Sequence, residues 1–155
     1  MDLVAWIEGS ALAQMLRGSG TLYLVVNATH ILAIGLLVGA ILPLDLRILG
    51  LIGGPPLTVI GPFLSRMAGV GLGLALLTGF CLWSVDAAEY LGNAAFRWKL
   101  ALLVLGLANV ALLHRWGWRQ AVATGSASGA TRGLAAVSAL VWPGVLLAGR
   151  WIGFL

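Results

Sequence analysis

An uncharged run of 22 residues, 21–42, is the feature that most constrains what this chain can fold into. A helix of about 20 apolar residues crosses the hydrocarbon core of a bilayer. Backbone polar groups in lipid must be satisfied within their own segment, so the run has to be helical. The sequence therefore predicts a transmembrane helix at residues 21–43. We expect Pro43 to end it, because proline lacks the N–H that a helix interior needs.

Three further apolar runs are long enough to cross a membrane, at about residues 63–85, 98–116 and 133–154. Apolar residues make up 61% of the chain and charged residues only 9%, against about 25% charged residues in soluble domains. This composition excludes a soluble enzyme, a disordered chain and a disulfide scaffold. We expect residues 1–155 to form a single all-α membrane domain, a four-transmembrane-helix bundle.

The first twenty residues have a different pattern, in which apolar side chains recur at helical spacing among polar ones. The apolar positions are Leu3, Val4, Ile7, Ala11 and Met15. This pattern predicts a short N-terminal amphipathic helix at residues 1–20 that lies in the membrane interface.

Lys and Arg residues set the orientation of a membrane protein, since they are enriched in cytoplasmic loops. Five lie at the first and third connections and four at the opposite face. The five are Arg47, Arg66, Arg115, Arg119 and Arg132. The four are Arg17, Arg97, Lys99 and Arg150. We therefore expect both termini to lie outside the cytoplasm.

His30 is the main candidate site residue, because it stands near the middle of the first predicted span. Tyr23 and Asn27 share its helical face, and Asn27 is close enough to help orient the imidazole. Polar groups inside a membrane are costly and are functional candidates by default. Three interpretations stay open: a hydrogen bond that specifies helix packing, an axial ligand to haem b or a metal ligand, and a proton relay. The relay is disfavoured because no carboxylate lies within a predicted span.

His114 and Arg66 are two further candidate residues for cofactor binding. His114 lies at the end of the third span. It is either an ordinary interfacial histidine or a second ligand to haem or a metal. Its predicted depth differs from that of His30 by about 10 Å, which disfavours a level pair of axial ligands. Arg66 begins the second span, where it could pair with Asp45 or contact a lipid headgroup. Binding of a haem propionate or an anionic substrate is the alternative for Arg66.

Two predictions concern helix packing. Gly35 and Gly39 have the small-xxx-small spacing that lets helices approach closely, so we expect them to face another helix. Asn109, deep in the third span, is expected to make an interhelical hydrogen bond. Neither expectation requires a cofactor.

The run of residues 21–50, which contains His30 and ends in the Asp45-Leu-Arg47 segment, resembles an uncharacterised family of small bacterial inner-membrane proteins. The resemblance continues through residues 79–93, 96–99 and Asn109. Thr21 and Asn27 stand where the family pattern has Trp and an acidic residue. The resemblance implies a bacterial inner-membrane location. The side outside the cytoplasm, predicted for both termini from the Lys and Arg distribution, is then the periplasm. The layout is also similar to copper-resistance-D-type membrane proteins and small b-type cytochromes, although architecture alone does not transfer function.

The functional hypotheses fall into three classes. The first is a haem-b electron carrier or haem-handling protein, and the second is a non-catalytic scaffold or accessory subunit of a membrane complex. The third, a small transporter of a metal or weak acid, has less support because inverted repeats are not visible. Expected partners are the bilayer, a redox or complex partner protein and further copies of the chain. Nucleic acid is excluded because the basic residues are scattered singly, and no motif of side-chain catalysis is present.

Overall fold

The computed structural model describes residues 3–154, in which every regular element is helical. In chain order these are α1 (Leu3–Glu8), α2 (Ala11–Gly18), α3 (Gly20–Leu49), α4 (Leu57–Trp83), α5 (Ala87–Gly92), α6 (Ala94–Trp116), α7 (Trp118–Thr124), α8 (Gly129–Trp151) and a 3₁₀ turn (Ile152–Phe154). Four of them, α3, α4, α6 and α8, are long and apolar enough to cross a membrane. The predicted all-α bundle of four transmembrane helices is confirmed, and the chain is a multi-pass membrane protein.

Helix α3 does not end at Pro43, so that prediction is wrong. A proline removes one backbone hydrogen bond, and membrane helices tolerate this where neighbouring helices pack around them. The helix continues to Leu49 and ends at Gly50, whose φ of 76° is left-handed and whose N–H bonds back to the last turn. Asp45 therefore lies inside the helix rather than in the connection after it.

The four long helices form an open row in the order α4, α3, α8, α6. Helix α3 packs against both α4 and α8, and α8 packs against α6. Helices α4 and α6, at the two ends of the row, share no extended interface, although the short helix α7 packs against α4 at one end of the bundle. The side of the bundle between α4 and α6, here called the lateral gap, is therefore only sparsely closed, and the Ser65–His114 hydrogen bond crosses it.

Helices α3 and α4 make a close backbone contact at Gly71. A Cβ atom there would lie 2.6 Å from the backbone nitrogen of Leu37 and 2.9 Å from the carbonyl oxygen of Ala33. Gly35 and Gly39 do not face another helix among residues 3–154. Both are exposed, and a Cβ at either would meet nothing within 4 Å. The prediction for these two glycines is wrong because α3 turns its alanine-containing face toward α4 instead.

The N-terminal segment forms two short helices, α1 and α2, because Gly9 and Ser10 interrupt the predicted single helix; Ser10 caps α2. These helices are tied to the connection that follows α4. The Glu8 carboxylate accepts a hydrogen bond from the Ala88 N–H at 2.8 Å. The Arg17 guanidinium donates to the Val85 carbonyl at 2.9 Å. Residues 1 and 2 of the predicted interfacial helix lie outside the described residues.

The contact at Gly71 gives a first prediction, that Gly71→Ala lowers the stability of the bundle. The added methyl group would meet backbone atoms of α3, so the two helices must separate at a cost of about 1–3 kcal/mol. The matched control is Gly39→Ala, which meets no neighbour and gains up to about 1 kcal/mol of helix propensity. Thermal unfolding of both variants in detergent measures the difference. Equal midpoints for the two variants would contradict this packing.

Candidate functional site

Asp45 is an ionisable side chain wholly inside the bundle, with 0% exposure. Neither of its carboxyl oxygens has a hydrogen-bond partner within residues 3–154. Arg66, the expected ion-pair partner, is exposed on α4 and bonds to none of the residues that the structure describes. The Asp45–Arg66 ion pair of the sequence analysis is therefore not formed, because Asp45 is turned toward α8.

Two polar side chains of α8 lie in the same region. Ser138 and Trp142 stand one helical turn apart, and each is only 1% exposed. The Ser138 hydroxyl lies beside the Asp45 carboxyl and interacts with it, although no well-formed hydrogen bond joins them, and the Trp142 indole N–H has no hydrogen-bond partner among residues 3–154. Buried polar groups in native proteins are paired in the large majority. A buried carboxyl and hydroxyl that are only loosely paired across two helices, with an unpaired indole one turn away, therefore mark a candidate site.

A cavity of about 180 Å³ adjoins this region. Its walls are mainly apolar, with Ser138 and Trp142 on one side and Ser65 and His114 on the other. Ser65 is on α4 and His114 is on α6, the two helices at the ends of the row. The cavity therefore lies between the bundle interior and the lateral gap.

An apolar cluster closes the end of the bundle beyond Asp45. The fully buried members of that cluster come from α3, α4, α7 and α8: Leu44, Ile48, Leu57, Ala121 and Ala135. This cluster separates the carboxyl from the loops at that end. Asp45 is therefore enclosed by apolar side chains on that side. On the other side, Ser138 separates it from the cavity.

His114 bridges the gap at the mouth of the cavity. Its Nδ1 lies 2.9 Å from the Val110 carbonyl, which can only accept, so Nδ1 carries a proton. Its Nε2 then accepts from the Ser65 hydroxyl at 3.4 Å. The ring packs against Trp118, with 5.2 Å between the ring centroids. His114 is exposed.

His30 makes its hydrogen bond with the neighbouring helix α4. Its Nδ1 lies 2.8 Å from the Thr78 hydroxyl, which itself donates to the Leu74 carbonyl at 2.6 Å. The hydroxyl therefore accepts from His30, and Nε2 keeps a lone pair. The ring lies against Gly79, where a Cβ would be 3.0 Å from the imidazole. Asn27 is exposed, so Thr78 rather than Asn27 orients the histidine.

The structure does not bring the two histidines together. Their partners on α4, Ser65 and Thr78, are 13 residues apart, which is about 20 Å along a helix. His30 and His114 therefore cannot ligate one iron or share one metal ion. Within residues 3–154 no group of three His, Cys, Asp or Glu side chains is placed to hold a metal.

A second cavity, of about 460 Å³, lies at the other end of the bundle and is lined by Asp86, Glu89, Tyr90 and Asn93 among others. Asp86 and Glu89 are both exposed. Burial raises the pKa of the Tyr90 phenol above its ordinary value, so Tyr90 stays uncharged at neutral pH. None of these side chains is fully buried, so this polar cavity is a weaker candidate than the region around Asp45.

Asn109 makes the expected interhelical hydrogen bond, since its side-chain amide donates to the Leu134 carbonyl of α8 at 3.0 Å. The sequence analysis missed Asp45, Ser138 and Trp142 as site residues. One signal could have found Asp45. Apolar residues continue at helical spacing past Pro43, at Leu44 and Ile48, which indicates that the helix continues and carries Asp45 inward.

Comparison with known proteins gives one match. No curated protein and no solved structure matches the chain. The likeness to copper-resistance-D-type proteins and b-type cytochromes therefore stays an analogy of architecture. The resemblance to an uncharacterised family is confirmed, because a model of a family of unknown function, DUF6644, matches residues 3–155, nearly the whole chain. The chain belongs to the DUF6644 family.

Proposed function

We propose that this membrane protein takes up and releases a proton at Asp45, as the proton-carrying part of a small transporter. The observation that supports this proposal is the Asp45 carboxyl itself, which is fully buried and has no hydrogen-bond partner among the described residues. Ionisable side chains inside membrane bundles are rare and mark ion pathways and proton relays.

The physical argument begins with the cost of an isolated charge. An unpaired carboxylate in a protein interior loses its hydration without gaining a counter-ion. No Lys or Arg side chain pairs with Asp45 in the part of the chain that the structure describes. Protonation removes the charge, so the resting form of Asp45 is the neutral acid. Release of the proton then requires a transient acceptor.

Ser138 supplies the first step of a route for that proton. Its hydroxyl can donate and accept at once, it neighbours the Asp45 carboxyl, and it lines the cavity that reaches toward the α4–α6 gap. The Nε2 atom of His114 is an acceptor on the opposite wall of the same cavity. A ligand or water molecules in the cavity would connect these groups.

Proton flux into proteoliposomes tests the proposal. With a potassium diffusion potential as the driving force and a pH dye inside, we expect vesicles with the parent protein to acidify faster than empty vesicles. Asp45→Asn keeps the shape of the side chain but cannot release a proton, so the protein-dependent rate should fall by about tenfold or more. Asp86→Asn, which changes an exposed carboxylate, should leave the rate unchanged. Equal rates for parent and Asp45→Asn would overturn the proposal and leave the scaffold hypothesis.

Haem b at His30 is the second candidate function, for electron transfer or haem handling. One observation favours it. The Thr78 hydroxyl fixes the proton on Nδ1 of His30, which leaves Nε2 with a lone pair that can form an axial bond to iron. His114 is too distant to be the second ligand, so His30 would be the only axial histidine. Neither of the two cavities described above includes His30, and the ring packs directly against Gly79 of α4. This poorer fit places haem second.

An absorption spectrum of the purified protein tests the haem candidate. After haem-supplemented expression we expect a Soret band if His30 is a ligand, with loss of that band in His30→Ala. His114→Ala is the matched control and should keep the band. A colourless parent protein would contradict haem binding and leave His30 as a hydrogen-bonding residue of the α3–α4 interface.

We also propose that the protein lies in the bacterial inner membrane with both termini periplasmic. The excess of Lys and Arg at the first and third connections supports this orientation. The loop between α7 and α8, which contains Ser126, would then be cytoplasmic. The α5 segment, which contains Leu91, would face the periplasm.

Cysteine labelling in whole cells measures this orientation. In a Cys81→Ser background, Leu91→Cys should react quickly with an impermeant maleimide, and Ser126→Cys should react only after the cells are opened. Both positions are exposed, so a difference in rate reports the side of the membrane. Fast labelling at Ser126→Cys alone would reverse the orientation.

A further inference from the structure

We propose that the ammonium group of Lys99 binds a small monovalent anion, such as a carboxylate, in the space between α3, α6 and α8. Lys99 belongs to the membrane-spanning helix α6 and lies about 8 Å from the start of that helix. Ionisable side chains that face the interior of a membrane bundle mark ion and substrate pathways. The proposal does not depend on the proton chemistry of Asp45 or on haem.

The side chain of Lys99 crosses from α6 to α8. A Cβ placed on Gly149 would lie 3.6 Å from the Cδ and Cε atoms of Lys99 and 3.7 Å from its Nζ atom. Leu102 of α6 meets Gly144 of α8 in a similar antiparallel register, so Lys99 and Gly149 lie at nearly the same depth. The lysine therefore reaches α8 at its own level, whereas a snorkelling lysine extends toward the membrane surface.

The ammonium group of Lys99 also faces α3. Its charge acts on His30, although α3 and α6 share no extended interface and α8 stands between them in the row of helices. Lys99 therefore points across the bundle, into the space that α3 and α6 leave between them. The His30 ring borders this space, and its bond to Thr78 holds it against α4.

Lys99 has no counter-ion among residues 3–154. It is half-buried, and no carboxylate offsets the lost hydration of its ammonium group. Asp86 and Glu89, the exposed carboxylates of the second cavity, act on Tyr90 instead. A partly buried cation without a counter-ion is costly, and a bound anion reduces that cost. The Nζ atom keeps accessible surface, so an ion can reach it.

The charge of the anion follows from the cations around the site. Arg97 and Arg150, at the ends of the same two helices, are exposed and engaged elsewhere. Arg97 donates to carbonyl groups at the end of α5, and Arg150 lies over the Phe154 ring, 5.0 Å from its centroid. Lys99 is the one cation of the described residues that acts on His30. One positive charge compensates one negative charge, so a monovalent anion fits and a doubly charged one does not.

Fluorine NMR of the full-length protein in a non-ionic detergent tests this site with two small probes of nearly the same shape. Trifluoroacetate carries one negative charge, and trifluoroacetamide carries none. We expect the parent protein to bind trifluoroacetate about tenfold or more tightly than trifluoroacetamide, because only the anion forms a charge-assisted hydrogen bond with the ammonium group. Equal affinities for the two probes would overturn the proposal.

Variants assign the binding to Lys99. Lys99→Gln should lower the affinity for trifluoroacetate about tenfold, and Lys99→Arg should restore most of it. Arg97→Gln is the matched control, because it removes the same charge from an exposed position of the same helix end, and it should bind as the parent does. Gly149→Leu keeps the lysine but blocks its path across α8, so it should also weaken binding and serves if Lys99→Gln does not fold. Parent-like affinity in a folded Lys99→Gln or Gly149→Leu variant, or an equal loss in Arg97→Gln, would overturn the proposal.

Competition with lipids distinguishes a free anion from a headgroup, since the phosphodiester of phosphatidylglycerol is also a monovalent anion. We expect phosphatidylglycerol and phosphatidylcholine, added at equal concentrations, to leave trifluoroacetate bound to the same extent. Selective displacement by phosphatidylglycerol would contradict a small ligand and assign Lys99 to an anionic lipid.

Discussion

The contact between α3 and α4 at Gly71 sets the arrangement of the whole bundle. Without a side chain at Gly71, the backbones of the two helices approach to within van der Waals contact. This close contact holds α4 beside α3, while α8 covers the next face of α3 and carries α6 with it. Helix α4 is therefore kept away from α6. The lateral gap, with the cavity behind it, lies on the side of α4 and α6 that this contact does not close.

Polar side chains inside this bundle fall into two groups with different meanings. Asn109 and His30 each reach across to a neighbouring helix and find a hydrogen-bond partner there. Such pairs specify helix register and need no further explanation. Asp45, Ser138 and Trp142 are more deeply buried than His30 and make no well-formed hydrogen bond among the described residues. Burial of such groups is costly, and under the proposed function a proton on Asp45 reduces that cost.

The sequence predicted most of the architecture, since long uncharged runs in lipid can only be helices. The interior of the site was harder to predict. Hydropathy ended the first span before Asp45 because a proline and two charged residues follow closely, yet packing of α3 against α8 carries the helix onward. Helical periodicity also cannot say which face of a helix meets protein. Gly35 and Gly39 therefore looked like a contact face, whereas the contact is made through Ala33 and Leu37.

Under the proposed function, Asp45 is a neutral, protonated acid inside the bundle at rest. Infrared difference spectroscopy between the parent protein and Asp45→Asn at neutral pH measures this directly, through the carbonyl stretch of a protonated carboxyl group. We predict that the parent shows this band, that it shifts in deuterated water, and that the variant lacks it. A parent spectrum with only ionised carboxylate bands, identical in that region to the spectrum of the variant, would contradict the account.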